Sequence, residues 1–281
     1  MDVRGGIPSG AMALTIAVLS QKGGTGKTTT VRTLADVFAR AGLQVLCVDL
    51  DPQGNLSDYF DVPADADPTI ADVLGGRRKA SEAIYDGVLP ANLGLAEAEL
   101  VLSGKMGREL TLKRGLMEVK RSRDIVLIDC PPALGLLTVN GLVAADHALI
   151  STEAQYFSLQ GVEQALEVIE LAKENLHPEL EWLGVVLNIA DLRTRHSREA
   201  HAQLRDRFGE RVFDSVVRQS IRYAESAERG VSILDYAPQL GADYLALGQE
   251  VLQRVGFPEE AQRVAAMREN DPVPVEEVPS P

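Results

Sequence analysis

Cysteine is scarce in this 281-residue chain, which has only Cys47 and Cys130. Both sit inside apolar runs and neither has metal-ligand spacing. The sequence therefore offers no disulfide framework and no zinc site, and it points to a reducing compartment. Long hydrophobic runs are missing too. None approaches the roughly 20 residues that span a bilayer, which excludes an integral helical membrane protein. The first dozen residues lack the charged-then-apolar layout of a secretory signal. Residues 1–13 read as a flexible leader, with Met12 a candidate start. Basic charge is the minority, 28 Lys and Arg against 41 Asp and Glu, a formal net charge of −13. Bulk attraction to DNA or anionic lipid is excluded, so any such contact needs a local basic patch. Internal repeats and obvious linkers are also lacking, and one domain over residues 14–256 is expected.

What is present is an ordinary globular composition, 45% hydrophobic and 25% charged, in which short apolar runs alternate with helical patterns. Leu14–Ser20, Val45–Asp49, Ile125–Asp129, Ala148–Ser151 and Trp182–Asn188 read as buried strands, with Leu93–Ala96 and Val212–Val217 as weaker ones. Lys27–Arg40 carries Val31, Leu34, Ala35 and Phe38 on one face and stops before Gly42. Val162–Ala172, Ser197–Phe208 and Tyr244–Val255 give further helices. The expected fold class is α/β, a mostly parallel twisted sheet with helices on both faces. From about Phe257 the chain turns acidic and Pro-rich, and 257–281 reads as a frayed helix followed by a disordered tail.

The most informative stretch is Gln21-Lys22-Gly23-Gly24-Thr25-Gly26-Lys27-Thr28-Thr29, between a predicted strand and a predicted helix. Glycines let successive backbone N–H groups turn inward around a polyphosphate, and the following helix adds the positive end of its dipole. In such a loop Lys27 neutralises β- and γ-phosphate charge and the Thr28 hydroxyl ligates Mg²⁺. Two acidic strand ends accompany it. Asp49 and Asp51 close Val45–Asp51, and Asp129 closes Ile125–Asp129; ligands of open α/β sheets bind beyond such carboxyl ends.

The loop departs from the common phosphate-loop pattern by placing Gln21 where glycine is expected and by adding Lys22. In this it resembles the deviant Walker A loop of the ParA/MinD group of ATPases, and KGGTGKTT, DLDPQGN and IDCPPALGLLTVNGL together resemble the ParA/Soj type from about Leu14 to Val255. The resemblance implies a P-loop NTPase using ATP and Mg²⁺ that forms a homodimer when ATP-bound. It implies that Lys22 reaches the partner's nucleotide, with Gly23 where the two backbones approach. Asp51 then orients the attacking water, and Asp49 and Asp129 support the metal. It further implies slow hydrolysis stimulated by a ParB-like protein, non-specific binding to double-stranded DNA, and a nucleoid-associated cytoplasmic location.

Member classes within the group differ at readable positions. Membrane-positioning relatives end in a basic amphipathic helix, whereas Pro258–Pro281 holds six acids against two arginines, a segment an anionic bilayer repels. A MinD-like membrane ATPase and an ATP-dependent carboxylate-activating synthetase stand as the alternatives. Residues 190–230 hold nine arginines against seven acids, a net of +2. Within them NIADLRT and VRQSIRYAESAERG resemble DNA-contacting stretches, which implicates Arg193, Arg218 and Arg222. A second patch, Lys105–Arg123, has seven basic residues and two acids and reads equally as a solvated helix. Two stretches depart from the family, Ser151–Gln155 and Glu225–Gly230, and both lie near the nucleotide or the dimer face in relatives.

Overall fold

A computed structural model describes residues 12–155 and 158–270. Seven strands form one sheet in the order β3-β2-β4-β1-β5-β6-β7, and every pair in it is parallel. The strands are β1 (Leu14–Leu19), β2 (Val45–Asp49), β3 (Val88–Leu89), β4 (Ile125–Asp129), β5 (His147–Glu153), β6 (Glu181–Ala190) and β7 (Val212–Arg218). Their near-continuous Val, Ile and Leu content follows from burial on both faces, since parallel strands need helical crossovers that cover each side.

On one face lie α3 (Ile70–Gly75), α4 (Gly94–Ser103), α5 (Thr111–Leu116), α6 (Leu136–Ala144), α7 (Ser158–Asn175) and α8 (Arg195–Phe208). Leu74, Leu95, Leu112, Leu142 and Ile169 carry that layer into one core with Val126, Ile128 and Ile150 of the sheet. The other face is covered by α1 (Lys27–Arg40), α2 (Asn55–Tyr59), α9 (Arg222–Glu228), α10 (Ile233–Tyr236), α11 (Pro238–Arg254) and α12 (Pro258–Asn270). Its core joins Leu34, Phe38, Leu56, Tyr244, Val251 and Val264 to Ile16, Val18 and Leu127. Cys47 lies in this second core and Cys130 in the first; both are free and buried, and burial pushes each thiol up from its ordinary range. No helix among the described residues is long and apolar enough to cross a membrane.

The structure corrects two expectations. Leu93–Ala96 is not a strand. Its apolar residues open α4, where Leu95, Ala98 and Leu102 are buried at helical spacing while Leu93 stays 72% exposed. The domain also does not stop at residue 256. Helix α12 buries Ala261 and Val264 beneath it, Phe257 seats its start, and Arg263 donates to the carbonyl of Ala41 at 2.8 Å. Hydrophobic anchoring at 257, 261 and 264 outweighs the acidic composition. The remainder of the expected tail, 271–281, lies outside the described residues, as do residues 1–11 of the expected leader. The weaker strand at 212–217 is β7, while β3 is too short for its pattern to announce it.

Candidate functional site

The β1–α1 connection turns beneath the centre of the sheet's carboxyl rim, with β1 flanked by β4 and β5. Gly24 and Gly26 adopt φ of 78° and 79°, the left-handed region that costs a side-chain-bearing residue strain. A Cβ at Gly26 would also meet the Asn188 side chain at 3.3 Å. The Ser20 hydroxyl donates to the Lys22 carbonyl at 2.7 Å and pins the loop's entry. Gly23 and Lys22 are exposed at the lip, whereas Thr25 and Lys27 are buried. Lys27 opens α1 and Gly26 caps it, so the amides of Lys27, Thr28 and Thr29 form a helix N-terminus facing the loop's hollow.

A polar floor supports this loop. Ser151 donates to the carbonyl of Thr25 at 2.8 Å, and the Asn188 amide donates to Ser151 at 2.7 Å and to the Thr30 hydroxyl at 3.1 Å. These residues come from the ends of β5 and β6, and sequence reasoning did not single out Ser151 or Asn188 for this role. Glu153, further along β5, lies near Gly24.

The acidic residues converge as their strand ends require. Asp49 pairs in register with Asp129 across β2 and β4, and Asp129 with Val18 of β1. Thr28 donates to one oxygen of Asp129 at 2.7 Å. The other oxygen, Oδ1, is buried without a hydrogen-bond partner, an expensive condition for a carboxylate that is to stay ionised. Burial, then the Asp49 charge, pushes the Asp129 carboxyl well above its ordinary range; burial likewise raises Asp49. An orphaned acceptor beside the Thr28 hydroxyl suits a hard divalent cation that takes few protein ligands and keeps water and phosphate oxygens for the rest. Among the described residues there is no cluster of three acidic, His or Cys groups able to hold a metal by itself. Mg²⁺ fits those two residues only in company with a phosphate.

Asp49 is otherwise engaged. It accepts from the Ser57 amide at 2.9 Å, the Ser57 hydroxyl at 2.7 Å and the Asp51 amide at 3.0 Å. Ser57 in turn accepts from the Ala91 amide at 2.9 Å, so one hydroxyl ties β2, α2 and the approach to α4 together. The signal for Ser57 lies in no motif. Asp51 is half-buried, its side chain accepting from the Gln53 amide at 3.0 Å.

The arginines divide. Arg193, Arg218 and Arg222 are exposed at the carboxyl ends of β6 and β7, where Ala190 and Arg218 are paired in register. Arg193 bonds Asp191 at 2.9 Å and Arg218 bonds Asp243 at 2.9 Å. Arg205, Arg207 and Arg211 belong to the far end of α8 and the start of β7, the opposite rim; Arg205 pairs with Asp214 and Arg207 with Glu163 at 3.3 Å. Arg195 pairs with Glu199 at 2.6 Å. The nine arginines thus form no continuous stripe.

A glycine-lined loop opening a helix, a buried lysine and a first-turn Thr28 that donates to the strand-end Asp129 define a P-loop NTPase. A family described as an AAA domain matches residues 13–182. The chain is 37% identical over 249 residues to the sporulation initiation inhibitor protein Soj of Bacillus subtilis, covering 85% of this chain and 98% of that one. It is 36% identical to the chromosome partitioning protein ParA of Myxococcus xanthus, covering 85% and 88%. A solved structure of cobyrinic acid a,c-diamide synthase from Mycobacterium smegmatis with bound ADP and magnesium is 37% identical, with a TM-score of 0.71, covering 77% of this chain and 93% of that one. The chain belongs to the ParA/Soj-type partitioning ATPases.

Proposed function

We propose that this chain is a DNA-segregation ATPase, switched by ATP between a monomer and a face-to-face dimer that holds double-stranded DNA. The observation that carries the reading is the split between the two lysines of one loop. Lys27 is buried as the first residue of α1, and Lys22 is exposed on the lip. A buried lysine suits the nucleotide in its own loop, and an exposed one is consistent with a role towards the nucleotide of a second copy.

In this reading the amides from Gly23 to Thr29 and the Lys27 ammonium bind the triphosphate of ATP. Thr28 and Asp129 hold Mg²⁺, Asp129 through water, and Asp49 braces that shell through the groups bonded to it. When bound, Mg²⁺ neutralises charge on the β- and γ-phosphate oxygens. Asp51 orients the attacking water, and Lys22 of the partner copy completes the charge stabilisation. Hydrolysis is slow until dimerisation and a ParB-like protein complete the site. Arg193, Arg218 and Arg222 contact DNA phosphates without base readout, and two copies on one duplex double those contacts. The location that follows is the cytoplasm, on the nucleoid.

The test is duplex binding with ATP, ADP and no nucleotide at two salt concentrations. ATP-dependent binding that falls with salt and is weakened by Arg222→Ala is expected; equal binding in all three nucleotide states refutes the switch. The name of the M. smegmatis neighbour raises carboxylate activation as a second reading. The curated relatives Soj and ParA, each matched over 85% of this chain, favour segregation over that reading.

A further inference from the structure

Helices α3 and α5 and the turn after α4 enclose a groove of about 520 Å³. Chain direction places it away from the nucleotide. The Ile70 amide bonds the Pro90 carbonyl just past the carboxyl end of β3, and α4 starts close by at Gly94. Both helices therefore leave that rim and end, at Gly75 and Ser103, towards the other. Glycine keeps the groove open. A Cβ at Gly115 would lie 2.7 Å from the Val73 side chain, so α5 rests directly on α3. Val73 and Leu74 make the floor, while Met106 and Met117 stand on the rim, 100% and 52% exposed. Exposed methionines beside an aliphatic floor make a surface that adapts to apolar side chains.

The charge around this floor is unbalanced. Arg78, Lys79, Lys105 and Arg114 line the groove against one acid, Glu118. Among the described residues Lys79, Lys105 and Arg114 form no ion pair, and Arg78 reaches Glu82 only at 4.0 Å. Lys105 is held over the groove by donating to the Gly75 carbonyl at 3.5 Å. On a chain of net charge −13 this is a local inversion of sign. A phosphate polymer satisfies the cations but gains nothing from the floor and the methionines, whereas a purely apolar segment strands the cations. A ligand that answers both features carries carboxylates on either side of aliphatic groups. We propose that the groove docks such a segment of a partner protein. Its aliphatic side chains lie on Val73, Leu74, Met106 and Met117, and its carboxylates meet Lys79, Lys105 and Arg114. The proposal rests on no part of the nucleotide-switch reading. Its consequence is a tether to an acidic partner that leaves the phosphate loop and Arg193, Arg218 and Arg222 uncovered.

The probe is a displayed library of short random peptides, selected on the full, nucleotide-free chain and counter-selected on Lys105→Glu/Arg114→Glu. Both positions are exposed, and circular dichroism checks that the variant is folded. Enrichment of peptides that combine Asp or Glu with Leu, Ile, Val or Met is expected. A synthetic copy of the most enriched peptide should shift the isotope-labelled methyls of Met106 and Met117. Its affinity should fall about tenfold in Lys105→Glu/Arg114→Glu and, independently, in Met106→Ser/Met117→Ser. Selection that yields no such peptide, or one that binds both variants as tightly as wild type, overturns the proposal. So does a peptide that leaves both methyls unmoved. Duplex DNA or an anionic vesicle that shifts those methyls where no peptide does assigns the groove to a phosphate surface and equally overturns it.

Discussion

Replacing Asn188 by Ala tests whether the phosphate loop rests on the floor described above. Asn188 is 1% exposed, gives one amide proton to Ser151 at 2.7 Å and another to Thr30 at 3.1 Å. Each neutral hydrogen bond contributes about 1 kcal/mol net, and truncating a close-packed side chain adds a cavity cost. Ser151 keeps its bond to Thr25 and Thr30 keeps Tyr244 within 3.3 Å, so neither hydroxyl is abandoned. The sum is roughly 2–4 kcal/mol, a fall in Tm of about 4–8 °C at about 2 °C per kcal/mol for a domain of this size. The loop should loosen beyond the stability loss. Fluorescent-ATP titration is expected to show weakened nucleotide affinity at a temperature where circular dichroism reports a fully folded variant. Asn188→Asp sharpens the test by placing a carboxylate under the loop, where it opposes a polyphosphate while keeping the shape. ATP affinity that matches wild type in both variants refutes the reasoning, whatever happens to Tm.

Lys22→Ala is expected to bind ATP as wild type does yet stay monomeric by light scattering with a non-hydrolysable analogue; dimerisation at wild-type concentration rejects the role given to Lys22. Asp51→Ala should lose turnover while keeping ATP-dependent DNA retention, and retention that is equal with ADP and ATP counts against it. In nucleotide-free protein, burial and Asp49 raise the Asp129 carboxyl, so the folded state binds more protons than the unfolded one. That contribution is fully present below the ordinary carboxylate pKa and fades as pH rises towards neutrality. Melting curves at pH 5 and pH 8 should therefore differ more in wild type than in Asp129→Asn, and an identical difference removes the argument. Val264→Asp in α12 buries an unpaired charge and is expected to cost more than 3 kcal/mol; an unchanged denaturation midpoint takes α12 out of the core.

The convergence of the candidate site residues was legible wherever the requirement is local. Gly24, Gly26, Lys27 and Thr28 are constrained by one turn, and Asp49 and Asp129 by the ends of apolar strands. The floor was not. Asn188 is separated from Thr30 by 158 residues and from Ser151 by 37, distances over which no spacing pattern carries information. Ser57 was hidden for the same reason, its partners being Asp49 and Ala91. Leu93–Ala96 misled because a short apolar run of four residues satisfies a strand and the first turn of a helix alike. The arginine-rich stretch hid a spatial division. Composition counted nine charges, but α8 carries some of them to the far rim, and Asp191 and Asp243 engage two of the three that stay.

All seven strands point one way, which divides the molecule's two rims by duty. Phosphate loop, acidic strand ends and the candidate duplex contacts share one rim, whereas the turns at Gly42 and Gly209 occupy the other. A fluorophore or affinity handle grafted at Gly209–Arg211 therefore sits a full strand length from every group assigned a task here. Such a reporter can follow the proposed assembly without itself becoming part of the machinery it watches.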